Sequence, residues 1–411
     1  MTRPGYKMTE IGEIPVDWDI HKFSEIAETV KGSAPKNLPA TGEELKIYPY
    51  LSADYLRGNA EKTQYFKISN RKTNKIVNED EIILIWDGSN AGEFFIGNEG
   101  LLSSTMVKLV FKTFDVVPRF IYYYMKKEEN KLKKTVKGST IPHVNGDSLL
   151  NLYILLPPVP EQKKIAEVLS TADETIQKVN EEIALTEKLK KGLMQTLLTK
   201  GIGHTKFKMT EIGEIPEEWN VKELYQVSEL RKETIGPIKK MSEHYVGLEN
   251  ISSGQLRIFS YGDATNLKSS KFKFKKGDIL YGKLRPYLDK VALAETDGVC
   301  STDIIPILSK NMNARFLAYM LHSDLFLQFV KSTISGTNHP RTAWKQMSHF
   351  LMPFPSISEQ QKITEILTTV DSKRELLRNK KAHLEKLKKG LMGDLLTGKV
   401  RAKINTSKGE N

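Results

Sequence analysis

Lys7-Met-Thr-Glu-Ile-Gly-Glu-Ile-Pro15 is repeated without change as Lys208-Met-Thr-Glu-Ile-Gly-Glu-Ile-Pro216, 201 residues further along the chain. A second pair of identical stretches, Glu187-Lys-Leu-Lys-Lys-Gly-Leu-Met194 and Glu385-Lys-Leu-Lys-Lys-Gly-Leu-Met392, is separated by 198 residues. Long identities at nearly the same offset are typical of an internal repeat. The 411 residues therefore form two tandem copies of a unit of roughly 200 residues.

The similarity between the two copies is uneven. Residues 16–155 (the first insert) and residues 217–352 (the second insert) share only a faint skeleton, in which Ser104-Thr105 corresponds to Ser301-Thr302. Nearly identical frames around unlike inserts indicate one scaffold that presents two different binding surfaces. The pattern therefore predicts two related recognition modules with different targets.

Composition limits the class of protein. With 39% hydrophobic and 9% aromatic residues, the chain has enough apolar side chains for packed cores, which excludes wholesale disorder. No apolar run approaches the ~20 residues that span a bilayer, and residues 1–8 lack the apolar core of a secretory signal. The single cysteine, Cys300, excludes a disulfide framework, and we expect it to be a small buried residue. A cytoplasmic location is predicted.

The net charge of +12 suggests a polyanionic partner. Residues 1–160 carry +1, residues 201–358 carry +5 and residues 359–403 carry +6, so the excess does not lie in a charged tail. The first insert groups its cations at Arg71, Lys72 and Lys75, and at Lys126, Lys127, Lys131, Lys133, Lys134 and Lys137. A solvated helix face explains any one of these runs, but together they favour a surface that contacts phosphates.

Two stretches have the periodicity of long helices. Apolar residues recur at alternating steps of four and three from Glu161 and from Glu359, a pattern typical of coiled-coil packing. Each predicted helix of about 38 residues would extend roughly 57 Å, and we expect an antiparallel pair. Leu384→Asp should then disrupt pairing and abolish partner assembly. The predicted seam comprises Ile165, Leu169, Ile176, Val179, Ile183, Leu193, Ile363, Leu367, Val370, Leu377, Leu384 and Leu391.

Both inserts combine the patterns of strands and helices. The predicted strands are Glu81–Trp86, Met106–Phe111, Asp278–Tyr281 and Ile304–Leu308, and the predicted helices are Arg119–Lys134 and Arg315–Lys331. The fold class is therefore α+β, with two mixed α/β domains separated by two long antiparallel coiled-coil helices in an internal pseudo-two-fold repeat. The predicted segments are residues 1–157 and 204–355 (domains), 158–203 and 356–403 (spacer helices), and 404–411 (a disordered tail).

Motifs for catalysis are missing from the sequence. There is no Gly-x-x-x-x-Gly-Lys-Ser/Thr phosphate loop and no His-x-x-x-His pair among the eight histidines. A metal-dependent nuclease site at Asp87 and Glu93, or at Asp278 and Lys283, is an alternative, but surface charges at strand ends explain these residues better. The sequence predicts a non-catalytic protein without a metal or cofactor of its own.

Three repeated motifs resemble those of a known family: Ile-Gly-Glu-Ile-Pro-x-x-Trp at 11–18 and 212–219, Glu-Gln-x-Lys-Ile at 161–165 and 359–363, and the Lys-Leu-Lys-Lys-Gly-Leu-Met helix ends. Together they resemble the specificity subunit of type I restriction–modification systems. The resemblance implies two target-recognition domains that each read one half of a split, asymmetric DNA target. It also implies helices that bind two modification (methyltransferase) subunits, alongside restriction (translocase and nuclease) subunits. S-adenosylmethionine, ATP and Mg would belong to those partners. The alternative is a non-enzymatic coiled-coil assembly scaffold whose inserts bind proteins.

Loops beside predicted strands are the candidates for contact with double-stranded DNA, because their polar side chains match the donors and acceptors of base edges. Ordinary turn chemistry explains each residue at least as well. Trp18 and Trp219 are predicted core anchors. The first domain's candidates are Trp86, Asp87, Ser89, Asn90, Lys137, Ser139, Thr140 and His143. The second domain's are Lys283, Arg285, Tyr287, Lys290, Thr337, Asn338, His339 and Arg341.

Overall fold

The computed structural model describes residues 2–34, 45–59, 61, 63–69, 75–237, 244–265, 269–334 and 340–403. The chain forms two compact units. The first unit comprises Met1–Lys178 with Lys381–Asn411, and the second comprises Val179–Lys380. Each unit thus contains one insert together with part of each long helix. The predicted tail at 404–411 lies outside the described residues.

The first repeat contains twelve strands and five helices among its described residues. The strands are β1 (Tyr6–Thr9), β2 (Gly12–Pro15), β3 (Asp19–Lys22), β4 (Ala27–Lys31), β5 (Leu45–Leu51), β6 (Tyr65–Ser69), β7 (Ile76–Val77), β8 (Ile83–Ile85), β9 (Phe94–Phe95), β10 (Gly100–Leu102), β11 (Met106–Phe111) and β12 (Tyr153–Leu156). The helices are α1 (Phe23–Ile26), α2 (Ala53–Leu56), α3 (Pro118–Lys134), α4 (Gly146–Leu150) and α5 (Val159–Lys200).

The second repeat has a similar but not identical order of elements. Its strands are β13 (Phe207–Thr210), β14 (Gly213–Pro216), β15 (Asn220–Glu223), β16 (Ser228–Leu230), β17 (Thr234–Ile235), β18 (His244–Val246), β19 (Lys271–Phe274), β20 (Ile279–Gly282), β21 (Val291–Leu293), β22 (Gly298–Cys300), β23 (Ile304–Ser309) and β24 (Leu351–Phe354). Its helices are α6 (Leu224–Val227), α7 (Ala314–Leu321), α8 (Asp324–Ser332), α9 (Trp344–Met347) and α10 (Ile357–Leu395). Two 3₁₀ turns lie at Leu248–Asn250 and Pro286–Leu288.

The two inserts share a sheet framework and differ at one edge. A four-stranded sheet with the order β4-β11-β8-β9 in the first insert corresponds to β16-β23-β20-β21 in the second. Beside it lies a mixed sheet, in which the parallel pair β5–β10 corresponds to β18–β22. The fourth strand of this mixed sheet is β6, next to β5, in the first insert, whereas it is β17, next to β19, in the second. The unlike sequences therefore keep the framework and change its edge.

The predicted strand at Met106–Phe111 and the α+β class are confirmed. The prediction of one helix over Arg315–Lys331 is wrong, because the chain forms two helices, α7 and α8, in this region. The break occurs at Ser323, whose hydroxyl accepts a hydrogen bond from the Phe326 amide at 3.2 Å and so caps a new helix. The imidazole of His322, just before the cap, contacts the Asp289 carboxylate at 2.6 Å.

The repeated motifs attach the long helices to the inserts. Trp18 and Trp219 are buried, as predicted, and their indole groups donate hydrogen bonds to Glu161 at 3.1 Å and Glu359 at 2.8 Å. The neighbouring glutamines repeat a second contact: the side-chain oxygens of Gln162 and Gln360 accept hydrogen bonds from main-chain amides just before α3 and α7. These contacts give the Glu-Gln motif a structural role at the start of α5 and α10.

The long helices α5 and α10 pack together in antiparallel directions in both units. In the first unit, Asp173 of α5 forms an ion pair with Lys388 of α10. In the second unit, Glu187 pairs with Arg378 at 2.8 Å and Lys190 pairs with Asp371 at 2.8 Å. Later residues of α5 thus meet earlier residues of α10, as antiparallel packing requires.

The predicted seam residues lie on the covered side of these helices. Ile165, Leu169, Val179, Ile363, Leu367 and Leu377 are buried, and Ile176, Ile183, Leu193, Val370, Leu384 and Leu391 are partly buried. Two basic residues, Lys190 and Arg374, are also buried within this helix packing, where both pair with Asp371. By contrast, Leu376 and Leu387 are more than half exposed. Ile165 and Leu169 belong to the apolar core of the first unit and Ile363 and Leu367 to that of the second, so the role of the predicted seam in pairing the helices stays a prediction.

Candidate nucleic-acid interface

The first insert brings together the two loops that the sequence singles out. Residues 86–90 follow β8, and residues 137–143 follow α3. The Gly88 amide donates to the Pro142 carbonyl at 2.8 Å, and the Val144 amide donates to the Trp86 carbonyl at 2.9 Å. Main-chain hydrogen bonds in both directions join Lys137 and His143. We call these two segments the first loop pair.

The first loop pair presents a mostly polar surface. The exposed candidates are Ser89, Asn90, Lys137, Ser139 and Thr140, whereas Trp86, Asp87 and His143 are partly buried. Trp86 packs against the hydrophobic core of the domain, and the Asp87 carboxylate contacts the Lys31 ammonium at 3.0 Å. Hydroxyl, amide and ammonium groups thus face solvent, and main-chain hydrogen bonds fix the two loops that carry them.

The second insert joins loops at the equivalent place. Residues 283–287 follow β20, and their partner segment is 340–342; we call them the second loop pair. The Arg285 amide donates to the Pro340 carbonyl at 2.7 Å, and the Thr342 amide donates to the Lys283 carbonyl at 3.1 Å. The predicted residues Thr337, Asn338 and His339 lie outside the described residues.

Backbone strain marks the second loop pair. Arg285 and Asp289 both have φ of 50°, in the left-handed region that non-glycine residues seldom occupy. Such conformations persist only where surrounding contacts fix them, and they concentrate at binding sites. Here the His322 side chain holds Asp289, and the Pro340 carbonyl holds the Arg285 amide. The loop is therefore pre-formed.

The remaining candidates of the second insert differ in their accessibility. Tyr287 and Arg341 are exposed, and the Arg341 guanidinium contacts the Asp303 carboxylate at 3.1 Å. The Lys290 ammonium instead donates a hydrogen bond to the Leu248 carbonyl at 2.5 Å. Lys290 therefore holds a neighbouring loop of its own domain, and its amino group is already engaged there.

A cavity of about 390 Å³ adjoins the second loop pair. Lys283 and Arg341 line it together with residues that the sequence analysis did not select: Arg231, Lys232, Phe272 and Trp344. Arg231 and Lys232 lie in the loop between β16 and β17, Phe272 on β19 and Trp344 on α9, so no local motif joins them. Arg231 and Arg341 are ion-paired with Asp278 and Asp303, which leaves Lys232 and Lys283 beside the two aromatic rings to contact phosphates and bases.

The carboxylates of the nuclease alternative are engaged by cations. Asp278 is almost fully buried, and Arg231 binds both of its oxygens, at 2.5 and 3.0 Å. These hydrogen bonds raise the pKa of Arg231 above its ordinary value. Asp87 pairs with Lys31, and Glu93 pairs with Arg57. In the part of the chain that the structure describes, no group of three or more His, Cys, Asp or Glu side chains is placed to hold a metal ion.

Ion pairs engage part of the lysine cluster on α3. Glu128 and Glu129 face inward, and each receives two lysines: Lys127 and Lys131 contact Glu128, and Lys126 and Lys133 contact Glu129. Two carboxylates thus engage four of the six lysines but offset only two of their positive charges, so the role of the cluster as a phosphate-contacting surface stays a prediction. Of the other group, Arg71 and Lys72 lie outside the described residues.

Cys300 is buried as predicted, and desolvation raises the pKa of its thiol to about 12. This thiol is therefore protonated and unreactive at neutral pH.

No helix among the described residues is both long and apolar enough to cross a membrane.

Comparisons with known proteins match both repeats. A family model for the type I restriction modification DNA specificity domain matches residues 15–187 and again residues 216–386. The type I restriction enzyme MjaVIII specificity subunit of Methanocaldococcus jannaschii is 36% identical over 407 residues, covering 95% of this chain and 94% of that protein. The EcoDI specificity subunit of Escherichia coli is 23% identical, covering 95% and 90%.

A solved structure has a similar fold. The crystal structure of the S subunit of a type I restriction–modification system from M. genitalium has a TM-score of 0.57 and 17% sequence identity to this chain. The similarity covers 96% of this chain and 99% of that chain. The likeness therefore extends over both repeats.

Proposed function

The chain belongs to the type I restriction–modification DNA specificity family, and on that premise we propose that it reads a two-part, asymmetric target on duplex DNA, one recognition domain for each half. One observation carries this proposal. The two loop pairs occupy equivalent places on equivalent sheets but expose different side chains. Like modules would read like half-sites, whereas unlike loops on one framework suit two different half-sites.

The side chains of each loop pair suit two different kinds of DNA contact. Arginine and asparagine match the patterns of guanine and adenine in the major groove, and serine and threonine hydrogen-bond with several bases. Lysines instead contact phosphates and set the register. We assign base contacts to Asn90, Ser139 and Thr140 in the first domain and to Arg285 and Arg341 in the second. Lys137 and Lys283 would contact phosphates.

Partner subunits supply the chemistry in this proposal. The chain would dock two methyltransferase subunits and the restriction subunits, and would not itself catalyse methylation or cleavage. S-adenosylmethionine, ATP and Mg would bind those partners. Membership of a DNA specificity family favours this function over a scaffold whose inserts bind proteins.

An exchange of inserts tests whether each domain reads one half of the target. Residues 217–352 are replaced by the matching insert of another specificity protein, and methylated sites are mapped in the reconstituted complex with its methyltransferase. We expect one half of the target to change and the other half to stay the same. An unchanged target, or a change in both halves, would contradict one domain per half-site.

A salt titration tests the choice between DNA and protein as the partner of the inserts. Duplex binding by the reconstituted complex should weaken with salt, with a log–log slope of about −0.9 for each phosphate contact. A flat response would favour the protein-binding scaffold.

A further inference from the structure

Three side chains from three different elements meet on the inner side of the first recognition domain. Tyr123 lies on α3 of the insert, Asp173 on α5 and Lys388 on α10. The Tyr123 hydroxyl donates a hydrogen bond to one Asp173 oxygen at 2.9 Å, and the Lys388 ammonium pairs with the other oxygen. The same ammonium lies 5.4 Å from the centroid of the Tyr123 ring. We call these residues the first triad.

The second unit contains the same constellation with the long helices exchanged. Tyr319 lies on α7, Asp371 on α10 and Lys190 on α5. The Tyr319 hydroxyl donates to one Asp371 oxygen at 2.9 Å, and the Lys190 ammonium is 2.8 Å from the other oxygen and 5.6 Å from the Tyr319 ring centroid. We call these residues the second triad.

The sequence keeps these triads where the inserts otherwise diverge. Tyr123 and Tyr319 are 196 residues apart, and both follow a phenylalanine by three positions, in Phe120-Ile-Tyr-Tyr123 and Phe316-Leu-Ala-Tyr319. The aspartates and the lysines are each 198 residues apart. The hydroxyl is thus retained in helices that otherwise share little more than the Arg-Phe pair at 119–120 and 315–316. Hydrophobic packing alone would not require this hydroxyl.

A carboxylate that binds both a phenol and an ammonium restricts the orientation of the insert on the helix pair as well as its distance from it. In the first triad each oxygen is used by one donor, so a rotation of the insert about the helix pair would break a hydrogen bond to a charged group. In the second triad Tyr319 uses one oxygen, and Lys190 and Arg374 share the other. Apolar contacts in the same interface are non-directional and would tolerate the rotation.

We propose that the two triads are positioning residues that fix the orientation of each recognition domain on the helix pair, and that they thereby set how strictly the gap between the two half-sites is measured. This inference rests on the proposed two-part reading. Reading a gapped target at one spacing requires each domain to hold one orientation, because one base pair shifts a half-site by ~3.4 Å and by about a tenth of a turn.

The second triad has more neighbouring contacts than the first. Asp371 is also 3.0 Å from the Arg374 guanidinium, and the Lys190 ammonium donates to the Gly254 carbonyl at 3.1 Å. In the first triad, the residue at the place of Arg374 is Ile176. The Asp173 side chain is 38% exposed, against 20% for Asp371. The first triad should therefore loosen more easily than the second.

The test measures how well the reconstituted methyltransferase complex methylates targets in which the gap between the half-sites has a changed length. Wild-type methylation first defines the target, and duplexes are then made with the gap shortened or lengthened by one base pair. Tyr123→Phe removes only the hydroxyl. We expect methylation of the altered gaps, relative to the natural gap, to rise about tenfold, as the loss of about 1.4 kcal/mol of discrimination predicts. Tyr319→Phe should show a smaller rise.

Tyr122→Phe is the matched control, because it removes a neighbouring hydroxyl that makes no hydrogen bond among the described residues. It should keep the wild-type gap preference. Asp173→Asn, which keeps the size of the side chain and removes its charge, should relax the gap as Tyr123→Phe does.

Two outcomes overturn the inference. One is a Tyr123→Phe complex that keeps the wild-type gap preference. The other is an equal loss of methylation at every gap, which would show that the triad only supports folding or assembly. Failure of the proposed function would look different, because the wild-type complex itself would then show no two-part target.

Discussion

At the scale of single residues, Glu161 carries several contacts of the first unit. Its side chain is 1% exposed and accepts hydrogen bonds from the Trp18 indole, the Arg401 guanidinium and the Ala402 amide. The hydrogen bonds that Arg401 donates to Glu161 raise the pKa of Arg401 above its ordinary value. A carboxylate removed from water is stabilised only when its oxygens are satisfied in this way. Glu161 therefore joins the start of α5 to the segment that follows α10.

Glu161→Gln should lower the free energy of unfolding by about 2 kcal/mol, because a neutral amide leaves the Arg401 charge and one indole donor poorly paired. Thermal and denaturant unfolding of the full chain measure the effect. Glu167→Gln is the control: Glu167 is exposed on the same helix and pairs only with Lys164. Its loss should cost less than about 0.5 kcal/mol. Equal effects of both variants would contradict the anchoring role.

Acid sensitivity follows from Glu129. Burial alone would raise its pKa, but hydrogen bonds and ion pairs from Lys126 and Lys133 outweigh burial, and its pKa lies below the ordinary 4.5. The unfolded chain therefore binds more protons, so this stabilisation is present above about pH 4.5 and is lost as the pH falls through the lowered pKa. Glu129→Gln should flatten the fall of unfolding free energy between roughly pH 5 and 3. An unchanged slope would assign the acid sensitivity to other groups.

Individual residues show which predictions about the site could be made from the sequence. Trp18 and Trp219 stood in a repeated motif, so their shared burial was predictable. The ion pairs of the α3 lysines were not predicted, because a run of charges does not show side-chain direction. Glu128 and Glu129 lie within helical reach of these lysines, and their inward placement converts the run into ion pairs. Arg231 and Trp344 were missed because only the folded sheet brings them beside Lys283.

At the scale of elements, α5 and α10 pack through a seam whose neighbours point to solvent. Leu377 is 6% exposed, whereas Leu376, one residue earlier, is 68% exposed. One step along a helix rotates the side chain by about 100°, so adjacent leucines face opposite environments. This difference provides a matched pair of positions in one helical turn.

Leu377→Asp should destabilise the second unit by roughly 3 kcal/mol or more, because it places a carboxylate in the packed seam. Leu376→Asp should change stability by less than about 0.5 kcal/mol, because its side chain stays in water. Thermal unfolding of the full chain, followed by circular dichroism, compares the two variants. Similar melting temperatures would argue against the seam in this register.

Elements were predictable where the pattern was local. The strand Met106–Phe111 and the long helices follow from apolar periodicity within one segment. The break between α7 and α8 was not predicted, because apolar periodicity continues across Ser323. The competing signal was the capping hydroxyl of Ser323. The meeting of residues 86–90 with 137–143 is a long-range contact that no local pattern reports.

At the scale of the whole molecule, charge is unequally divided between the two repeats. Residues 201–358 carry a net charge of +5 and residues 1–160 carry +1, and four lysines of α3 are held in ion pairs with Glu128 and Glu129. Attraction to phosphates depends on cations that are free to contact them. The second recognition domain should therefore contribute more of the sequence-independent affinity for duplex DNA.

A comparison of two lysines tests this asymmetry. The Lys283 ammonium has no ion-pair partner among the described residues, whereas Lys126 pairs with Glu129 at 2.6 Å. Lys283→Ala should weaken duplex binding by the reconstituted complex and reduce the magnitude of the log–log salt slope by about 1. Lys126→Ala should leave the slope unchanged, because Glu129 holds the Lys126 ammonium away from a phosphate. Binding measured from low to physiological salt separates the two results. A reduced slope for Lys126→Ala with none for Lys283→Ala would place the phosphate contacts on the first domain instead.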